Sequence, residues 1–344
     1  MHTPENGSSV LRLLAFLALI SLVLPHCCSR KTSVIFNFGD SNSDTGGFVA
    51  GVGLDFAYPY GRAFFRRPTG RASDGRLLID FLCEYLDTHY LSPYLDSLEP
   101  DFTNGANFAI IGAATLPKSI HGFNLGKTNF LEKDDFKNAL YTLDIGQNDL
   151  SGSFWSLSYA QVIERIPSFI SEIKDAMSGH CLPRELAIRS NGNGSDYDEY
   201  GCMKSLNQGA KAFNAKLEAL CEELRSQMEN ATIVHVDVYS IKYDLIANST
   251  HYGFKNPLMA CCGYGGAPYN YKDGRTCLDS EHTVCEEGIQ HLSWDGVHYS
   301  EAANAILASK ILSTHYSSPP LQFDFFCNSV ASSDTRKDMI FRCE

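Results

Sequence analysis

Residues 34–47 have the sequence VIFNFGDSNSDTGG, and this stretch decides how the rest of the 344-residue chain is interpreted. A short run of β-branched and aromatic residues that ends in a polar, glycine-rich turn predicts a buried strand. In an α/β sheet, functional side chains gather just beyond the carboxyl ends of the strands. Ser41 lies at such a position, where an exposed hydroxyl could attack a substrate. The alternative is a helix N-cap, because serine, aspartate and asparagine also favour helix starts.

A base and a carboxylate that could activate a serine stand near the other end of the chain. A serine hydroxyl becomes an effective nucleophile when a histidine takes its proton and a carboxylate orients that histidine. Asp295 and His298 are three residues apart in the segment SWDGVHYSEAAN, residues 293–304, just before a helical pattern. This spacing could place both side chains on one side of a turn. Alone, the pattern is also common among surface residues.

Two further strand-like runs end in turns that could supply hydrogen-bond donors to an oxyanion. The run ALYTL, residues 139–143, leads to Asn148, whose side-chain amide could donate to a developing negative charge. An ordinary turn-forming asparagine is the alternative. The run GANFAIIG, residues 105–112, ends in Gly112, where the absent side chain would let a backbone N–H approach a ligand closely.

Together these segments resemble the GDSL (SGNH) hydrolases, and most closely the secreted plant esterases and lipases of the early-nodulin and α-fucosidase-like branch. Further segments support the resemblance, among them GRASDGRL at 70–77, LSPYLDSL at 91–98 and CCGYGG at 261–266. The resemblance extends from Ser33 to Cys327. It implies a three-layer α/β/α fold with a central parallel sheet. The alternation of strands and helices along the chain favours the same α/β class.

By position, the resemblance implies that Ser41 is the nucleophile, that His298 is its base and that Asp295 orients His298. The α/β-hydrolase fold shares this chain order, but its nucleophile lies in a G-x-S-x-G pentapeptide that this sequence lacks.

The resemblance also implies an oxyanion hole. Its donors would be the backbone N–H groups of Ser41 and Gly112 and the side chain of Asn148. Gly105 competes with Gly112 for its place, because both glycines belong to the same short run.

The match breaks at one interior strand of the sheet. Relatives carry an additional strand there that ends in a Gly-Pro-x-Gly-Cys-x-Pro turn, whereas only GHCLP at 179–183 resembles that turn here. No strand-like run precedes it, so the sheet is expected to lack one strand or to fill its place with another segment, for example Glu185–Arg189. A gap would leave backbone groups unpaired, and poor folding is the alternative. Residues 328–344 predict a polar C-terminal tail.

Composition and the N-terminus predict a secreted protein. The content of 44% hydrophobic and 20% charged residues fits one globular domain, placed at residues 30–327. The apolar run at 10–24 is shorter than the ~20 residues that span a membrane and is followed by small residues, which predicts a signal peptide at 1–29. A net charge of −12 would repel nucleic acid and anionic lipid, so neither is an expected partner.

Cysteines and glycosylation sequons agree with the secretory route. Two of the twelve cysteines lie in the leader, and the remaining even number predicts disulfides whose pairing stays open. A zinc site is the alternative for one cluster, formed by Cys261, Cys262, Cys277 and Cys285. Two cysteines lie in helical patterns and are expected to remain buried thiols, namely Cys83 and Cys221. Three N-glycosylation sequons begin at Asn193, Asn230 and Asn248.

Apolar spacing predicts the main elements around the site. Helices are expected over 77–90, 159–177 with an interruption at Pro167, 202–228 and 301–313. A strand is expected over 231–239, with His235 as a core or edge histidine rather than a catalytic one. Residues 48–76 predict a long loop over the site. Its aromatic side chains would either line an acyl or sugar pocket or cover the core, and they are Tyr58, Tyr60, Phe64 and Phe65.

The sequence therefore predicts a secreted serine hydrolase that cleaves carboxylic esters through an acyl-enzyme on Ser41, without metal or cofactor. An acyltransferase with the same triad and a non-catalytic secreted glycoprotein of the same fold are the alternatives. A glycosidase would need two carboxylates flanking the bond, and no pair is designated. The ester could be a lipid, an acylated carbohydrate or a small phenolic ester, met in the cell wall or apoplast. The sequence leaves the oligomeric state open.

Overall fold

The computed structural model describes residues 33–53, 56–96, 100–115, 136, 138–154, 156–176, 194–322 and 339–343. Eight strands are found there: β1 (Ile35–Gly39), β2 (Gly105–Asn107), β3 (Leu140–Asp144), β4 (Ala231–Val236), β5 (Cys262–Gly263), β6 (Thr283–Val284), β7 (Ser317–Ser318) and β8 (Met339–Cys343). Seven α-helices accompany them: α1 (Gly47–Val52), α2 (Leu78–Tyr85), α3 (Gln147–Phe154), α4 (Tyr159–Ala176), α5 (Lys204–Gln227), α6 (Val238–Ala247) and α7 (Glu301–Leu312).

Six strands form the central sheet in the order β2-β1-β3-β8-β4-β7. Neighbours are parallel except β7, which runs antiparallel to β4 at the edge. Two apolar cores cover the sheet. One packs α2 and α7 against it, and the other packs α4 and α5. The predicted three-layer α/β/α fold with a mainly parallel sheet is confirmed.

Strand β4 shows how the sequence divides its side chains between the two cores. Val234 and Val236 join the core of α2 and α7, whereas Ile233 joins the core of α4 and α5, as the two-residue period of a strand requires. His235 is 2% exposed, and its Nε2 lies 3.3 Å from Oδ1 of Asn214. Burial lowers the pKa of His235 to about 4, so it stays neutral. The structure places His235 in the core, one of its two predicted positions.

Helix α4 continues through Pro167, where the sequence predicts an interruption. Val162, Ile166 and Phe169 on either side of the proline are buried against α5. We attribute the continuity to this burial, which outweighs the one backbone hydrogen bond that an internal proline removes. The other predicted helices form within a few residues of their expected bounds, and the predicted loop at 48–76 contains most of the short helix α1.

The interior position where the sequence predicts a missing strand is occupied by β8. This strand runs parallel to both neighbours, with Ile340 opposite Leu140 of β3 and opposite Thr232 of β4. It comes from the segment predicted as a polar tail, while the other candidate for this place, Glu185–Arg189, lies outside the described residues. The backbone of β3 and β4 thereby finds ladder partners on the sides that would otherwise face a gap.

Two disulfides cross-link the segment at 261–285, which contains the small β5–β6 sheet. Cys261 bonds to Cys285 and Cys262 bonds to Cys277, so the zinc interpretation of this cluster is wrong. Cys83 is a buried free thiol, as predicted, and burial raises its pKa to about 12. Cys221 is disulfide-bonded, which corrects its prediction as a thiol.

The predicted glycosylation sites and signal peptide lie partly within the described residues. Asn230 and Asn248 are exposed, whereas Asn193 and the signal peptide at 1–29 lie outside the described residues. Among the described helices, none combines the length and apolar character that crossing a bilayer requires.

We predict that a chain ending at Asp338 is strongly destabilised. β8 pairs with four residues of β3 and five of β4. Its removal would cost on the order of 5–9 kcal/mol at roughly 0.5–1 kcal/mol for each lost ladder hydrogen bond, or about 8–14 °C in Tm for a domain of about 300 residues. Thermal unfolding followed by circular dichroism measures the effect. A chain ending at Cys343 keeps the strand and is the control. Equal Tm values for the two truncations would contradict the interior position of β8.

Candidate active site

The turn that carries Ser41 is fixed on both sides by backbone hydrogen bonds. Asp40 N–H donates to Asp144 O at the end of β3 (3.0 Å), and Ile110 N–H donates to Gly39 O (3.1 Å). A Cβ on Gly39 would lie 2.6 Å from Asp144 O, so the close approach to β3 requires glycine. Ser41 is only 4% exposed, less than the sequence predicts, because the turn packs between these two segments.

Ser41 does not cap a helix in this structure. Helix α1 begins only at Gly47, and its N-cap is Gly46. The N-cap alternative for Ser41 is therefore wrong.

Asp44 connects the turn of Ser41 to the segment that follows β2. Its carboxylate accepts backbone N–H groups from Gly46 (2.8 Å), Gly47 (2.5 Å) and Phe48 (3.0 Å), and also from Ile111 (2.9 Å). Burial raises the pKa of Asp44, and these four hydrogen bonds to the charged form oppose the rise. Because Ile111 precedes Gly112, the buried carboxylate sets the distance between Ser41 and Gly112.

Gly112, rather than Gly105, occupies the place that suits an oxyanion donor. Its φ is +77° in a turn closed by Ala113 N–H donating to Ile110 O, and a Cβ there would meet no atom within 4 Å. Gly105 pairs with Ile35 at the beginning of β1, and a Cβ on Gly105 would lie 1.8 Å from Ile35 O. The close approach to Ile35 therefore explains why residue 105 is a glycine. Gly105 lies beside the beginning of β1, whereas Ser41 follows the end of β1.

Asn148 and Asp149, at the start of α3, hold the other end of the Gly112 segment. Asn148 Nδ2 donates to Ala113 O (2.8 Å) and to Asp40 Oδ2 (3.2 Å). The Asp149 carboxylate accepts two hydrogen bonds from Thr115. The backbone N–H donates to Oδ2 (2.8 Å), and the side-chain Oγ1–H donates to Oδ1 (2.8 Å). Both hydrogens of the Asn148 amide are thus engaged, and donation to an oxyanion would replace the longer contact, to Asp40.

Asp295 and His298 form a direct pair at the start of α7. His298 Nδ1 lies 2.7 Å from Asp295 Oδ2, while Asp295 Oδ1 accepts the backbone N–H groups of Val297 (3.0 Å) and His298 (2.8 Å). Burial raises the pKa of Asp295, but the charge of His298 and these hydrogen bonds hold it below its usual value. The carboxylate stays ionised and orients the imidazole, which leaves Nε2 as the nitrogen for proton transfer.

Contacts from the GRASDGRL segment position the loop of His298. Ser73 Oγ–H donates to Tyr299 O (3.1 Å), and the Asp74 carboxylate accepts Glu301 N–H at the first turn of α7 (2.7 Å). These bonds join residues more than 220 positions apart in the chain. They anchor the chain directly after His298.

The turn of Ser41 and the loop of His298 meet around a buried lysine. Asn42, next to Ser41, and Tyr299, next to His298, line one small cavity together with Lys242 of α6. Burial raises the pKa of Asp40, while hydrogen bonds from Asn42 and the charges of Lys242 and His298 oppose the rise. The structure thus brings the predicted residues from both ends of the chain to one place.

Lys242 is a site residue that the sequence interpretation misses. It is 1% exposed, and its Nζ lies 5.1 Å from the centre of the Tyr299 ring. A lysine between Ile241 and Leu245 on the buried face of the helix VYSIKYDLIA is the signal that could have indicated it.

Tyr60 is the second residue whose role differs from the prediction. Its hydroxyl donates to Asp295 Oδ2 (3.1 Å), the same oxygen that faces His298. The ring is 3% exposed and packs edge-on against Trp294 at 5.6 Å between ring centres. Burial, and then the Asp295 charge, raise the pKa of Tyr60 well above its usual value, so it remains a donor. We therefore assign Tyr60 to the Asp295–His298 pair and not to an acyl or sugar pocket.

The other three aromatic residues named in the predicted loop at 48–76 have different surroundings. Phe64 and Phe65 lie over the guanidinium groups of Arg76 and Arg71, at 4.0 Å and 4.7 Å. Tyr58 is 61% exposed.

We predict that Tyr60→Phe weakens catalysis through Asp295 while the ring packing survives. Loss of one donor concentrates negative charge on Asp295 and stabilises protonated His298, so the imidazolium persists to higher pH. The acid limb of the pH dependence of fluorophosphonate labelling should move to higher pH by about 0.5–1 pH unit, and labelling at pH 6 should therefore slow about 3- to 10-fold.

Tyr58→Phe removes an exposed hydroxyl two residues away and is the control for Tyr60→Phe. It should leave the pH profile unchanged. A Tyr60→Phe profile that superimposes on the wild-type profile would contradict the positioning role.

Comparison with known proteins identifies the family. The GDSL-like lipase/acylhydrolase family matches residues 35–311. The GDSL esterase/lipase LIP-4 of Arabidopsis thaliana is 49% identical, over 91% of this chain and 96% of the relative. The Medicago truncatula GDSL esterase/lipase ENOD8 is 36% identical over 92% and 96%, and Arabidopsis alpha-L-fucosidase 3 is 37% identical over 88% and 96%. These matches confirm the resemblance inferred from the motifs, and the chain belongs to the GDSL-like lipase/acylhydrolase family.

Proposed function

We propose that Ser41, His298 and Asp295 cleave carboxylic esters through an acyl-enzyme. Membership of the family makes the chain a GDSL-type ester hydrolase, and the proposal assigns the reaction to these three residues. The observation that carries it is the 2.7 Å contact between His298 Nδ1 and Asp295 Oδ2, in a loop held beside the Ser41 turn. The ordered pair favours the catalytic interpretation over a non-catalytic glycoprotein of the same fold.

Acylation begins when His298 Nε2 takes the proton of Ser41 Oγ, and Oγ attacks the carbonyl carbon of the ester. His298 then gives this proton to the leaving alkoxide, and an acyl group remains on Ser41. In deacylation, His298 takes a proton from water, whose oxygen attacks the acyl carbon. The same proton returns to Ser41 Oγ as the carboxylic acid leaves. Asp295 stabilises the imidazolium in both halves.

The oxyanion of each tetrahedral intermediate would accept hydrogen bonds from the N–H groups of Ser41 and Gly112 and from Asn148. Gly112 suits this role because its segment is fixed by Asp44 at one end and by Asn148 and Asp149 at the other. Fixed donors need no reorganisation as the charge develops.

The proposal also includes the compartment of the protein, its processing and its substrate class. The disulfides are consistent with an oxidising compartment. They support a secreted glycoprotein with a signal peptide at 1–29, the hydrolase domain beginning at residue 30, and glycans on Asn193, Asn230 and Asn248. The ester would be a lipid, an acylated carbohydrate or another small molecule. With a net charge of −12, nucleic acid is not an expected partner.

We predict that a fluorophosphonate probe labels the purified protein and does not label Ser41→Ala. Ser43→Ala is the matched control, because Ser43 is on the same turn and its buried Oγ has no hydrogen-bond partner among the described residues. This variant should be labelled like the wild type. Labelling that persists in Ser41→Ala would assign the nucleophile to another residue.

We predict that Asn148→Ala lowers kcat by about 10²–10³-fold, the usual effect of removing one oxyanion donor. KM should change much less, because the interaction forms mainly in the transition state. Steady-state kinetics on a p-nitrophenyl ester measure both constants. A variant with unchanged kcat would show that Asn148 only anchors Ala113.

A further inference from the structure

A small cleft adjoins His298 on the side of helices α5 and α6. Its walls come from the beginning of α5, the end of α6, the loop at 257–258 and the loop at 292–299. Apolar side chains dominate the lining, among them Met203, Leu206, Ile246, Leu258, Leu292 and Val297.

Two polar side chains that line this cleft are committed to protein partners. Asn207 Nδ2 donates to Asp198 Oδ2 (3.1 Å), and Ser293 Oγ accepts the N–H of Gly296 (3.0 Å). The lining also contains Cys202, whose thiol is a weak hydrogen-bonding group, and His298. An apolar group is the occupant that such a surface favours.

The position of the cleft relative to the catalytic groups decides which part of an ester it suits. Of the triad and oxyanion residues, His298 is the one that lines the cleft; Ser41, Gly112 and Asn148 are not among its described lining residues. The leaving oxygen must lie next to the histidine that protonates it, whereas the carbonyl oxygen lies against the oxyanion donors. The histidine side is therefore the leaving-group side.

We propose that this cleft binds the apolar alcohol portion of the ester and, in the reverse direction, an apolar alcohol as acyl acceptor. The inference rests on the proposed function of Ser41 and His298. It adds the class of alcohol to that function, and it gives the acyltransferase alternative a structural basis.

The transfer step uses the same groups as hydrolysis. The hydroxyl oxygen of a bound alcohol attacks the acyl carbon, and the bond from that carbon to Ser41 Oγ breaks. The alcohol proton passes to His298 Nε2 and from there to Ser41 Oγ. A new ester and the free serine are formed, without any other reactant. An alcohol held in the cleft competes with water because it is already positioned next to the base.

The first experiment varies the alcohol at a constant acyl group. Butyrate esters of linear alcohols from methanol to hexanol are compared by kcat/KM, which reports acylation while the alcohol is still attached. Each methylene buried in the cleft should raise kcat/KM about 3-fold. A parallel series varies the acyl chain at a constant alcohol.

Leu258→Trp fills the cleft and should flatten the alcohol series while leaving the acyl series unchanged. Leu278→Trp is the matched control, because Leu278 is 43% exposed and does not line the cleft. It should behave like the wild type in both series. Met203→Trp fills the cleft from α5 and is a second test should Leu258→Trp reduce fluorophosphonate labelling.

The second experiment measures partition between water and an added alcohol. With hexanol as acceptor, the ratio of hexyl ester to free acid should exceed the ratio found for methanol at equal concentration by at least about 10-fold, given the methylene effect above. Leu258→Trp should remove this difference. Leu278→Trp should keep it.

The outcomes separate this inference from the proposed function. Wild-type protein that is labelled on Ser41 and hydrolyses esters with no dependence on alcohol length overturns the alcohol site alone. A Leu258→Trp variant that flattens the acyl series instead assigns the cleft to the acyl group and also overturns the inference. Absence of labelling on Ser41 overturns both.

Discussion

The parallel pairing of β1 with β2 on one side and β3 on the other is the constraint on which the site depends. Ile35 pairs with both Gly105 and Leu140, so the three strands are in register and their carboxyl ends meet at one edge. The turn of Ser41, the segment of Gly112 and the start of α3 all follow these ends. Each donor of the proposed oxyanion hole is therefore placed by the backbone ladder, before any side chain contributes.

Hydrogen bonds to buried carboxylates then fix the positions of the segments that the sheet brings together. Asp44 and Asp149 hold the two ends of the Gly112 segment, and Asp295 holds His298 together with Tyr60. Hydrogen bonds to ionised acceptors are stronger than neutral ones, and burial shields them from competing water. The cost of burying these charges is offset by the number of donors that each one accepts. Rigid placement of the catalytic groups is the functional result.

Continuity of the sheet between β3 and β4 matters to the site even though no catalytic residue lies on β8. Strand β3 leads directly to α3 with Asn148, while β4 leads to α6 with Lys242. Unpaired edges in the middle of the sheet would leave these two elements without a common frame. Residues 339–343 supply that frame here. A segment that looks like a tail by composition thus becomes an interior strand.

Local sequence alone determined the α/β class and most helices, because apolar periodicity and turn chemistry are local properties. It also indicated the residues of the proposed triad, because these residues lie in short motifs that resemble those of the family. The disulfide pairing, the Tyr60–Asp295 hydrogen bond and the burial of Lys242 were decided only by tertiary structure. Each depends on segments that are far apart in the chain, as in the Tyr60–Asp295 bond across 235 positions. Tertiary structure also decided which segment forms the interior strand. The local sequence of a five-residue strand is too short to indicate its partners, and β8 is placed by its pairing with β3 and β4.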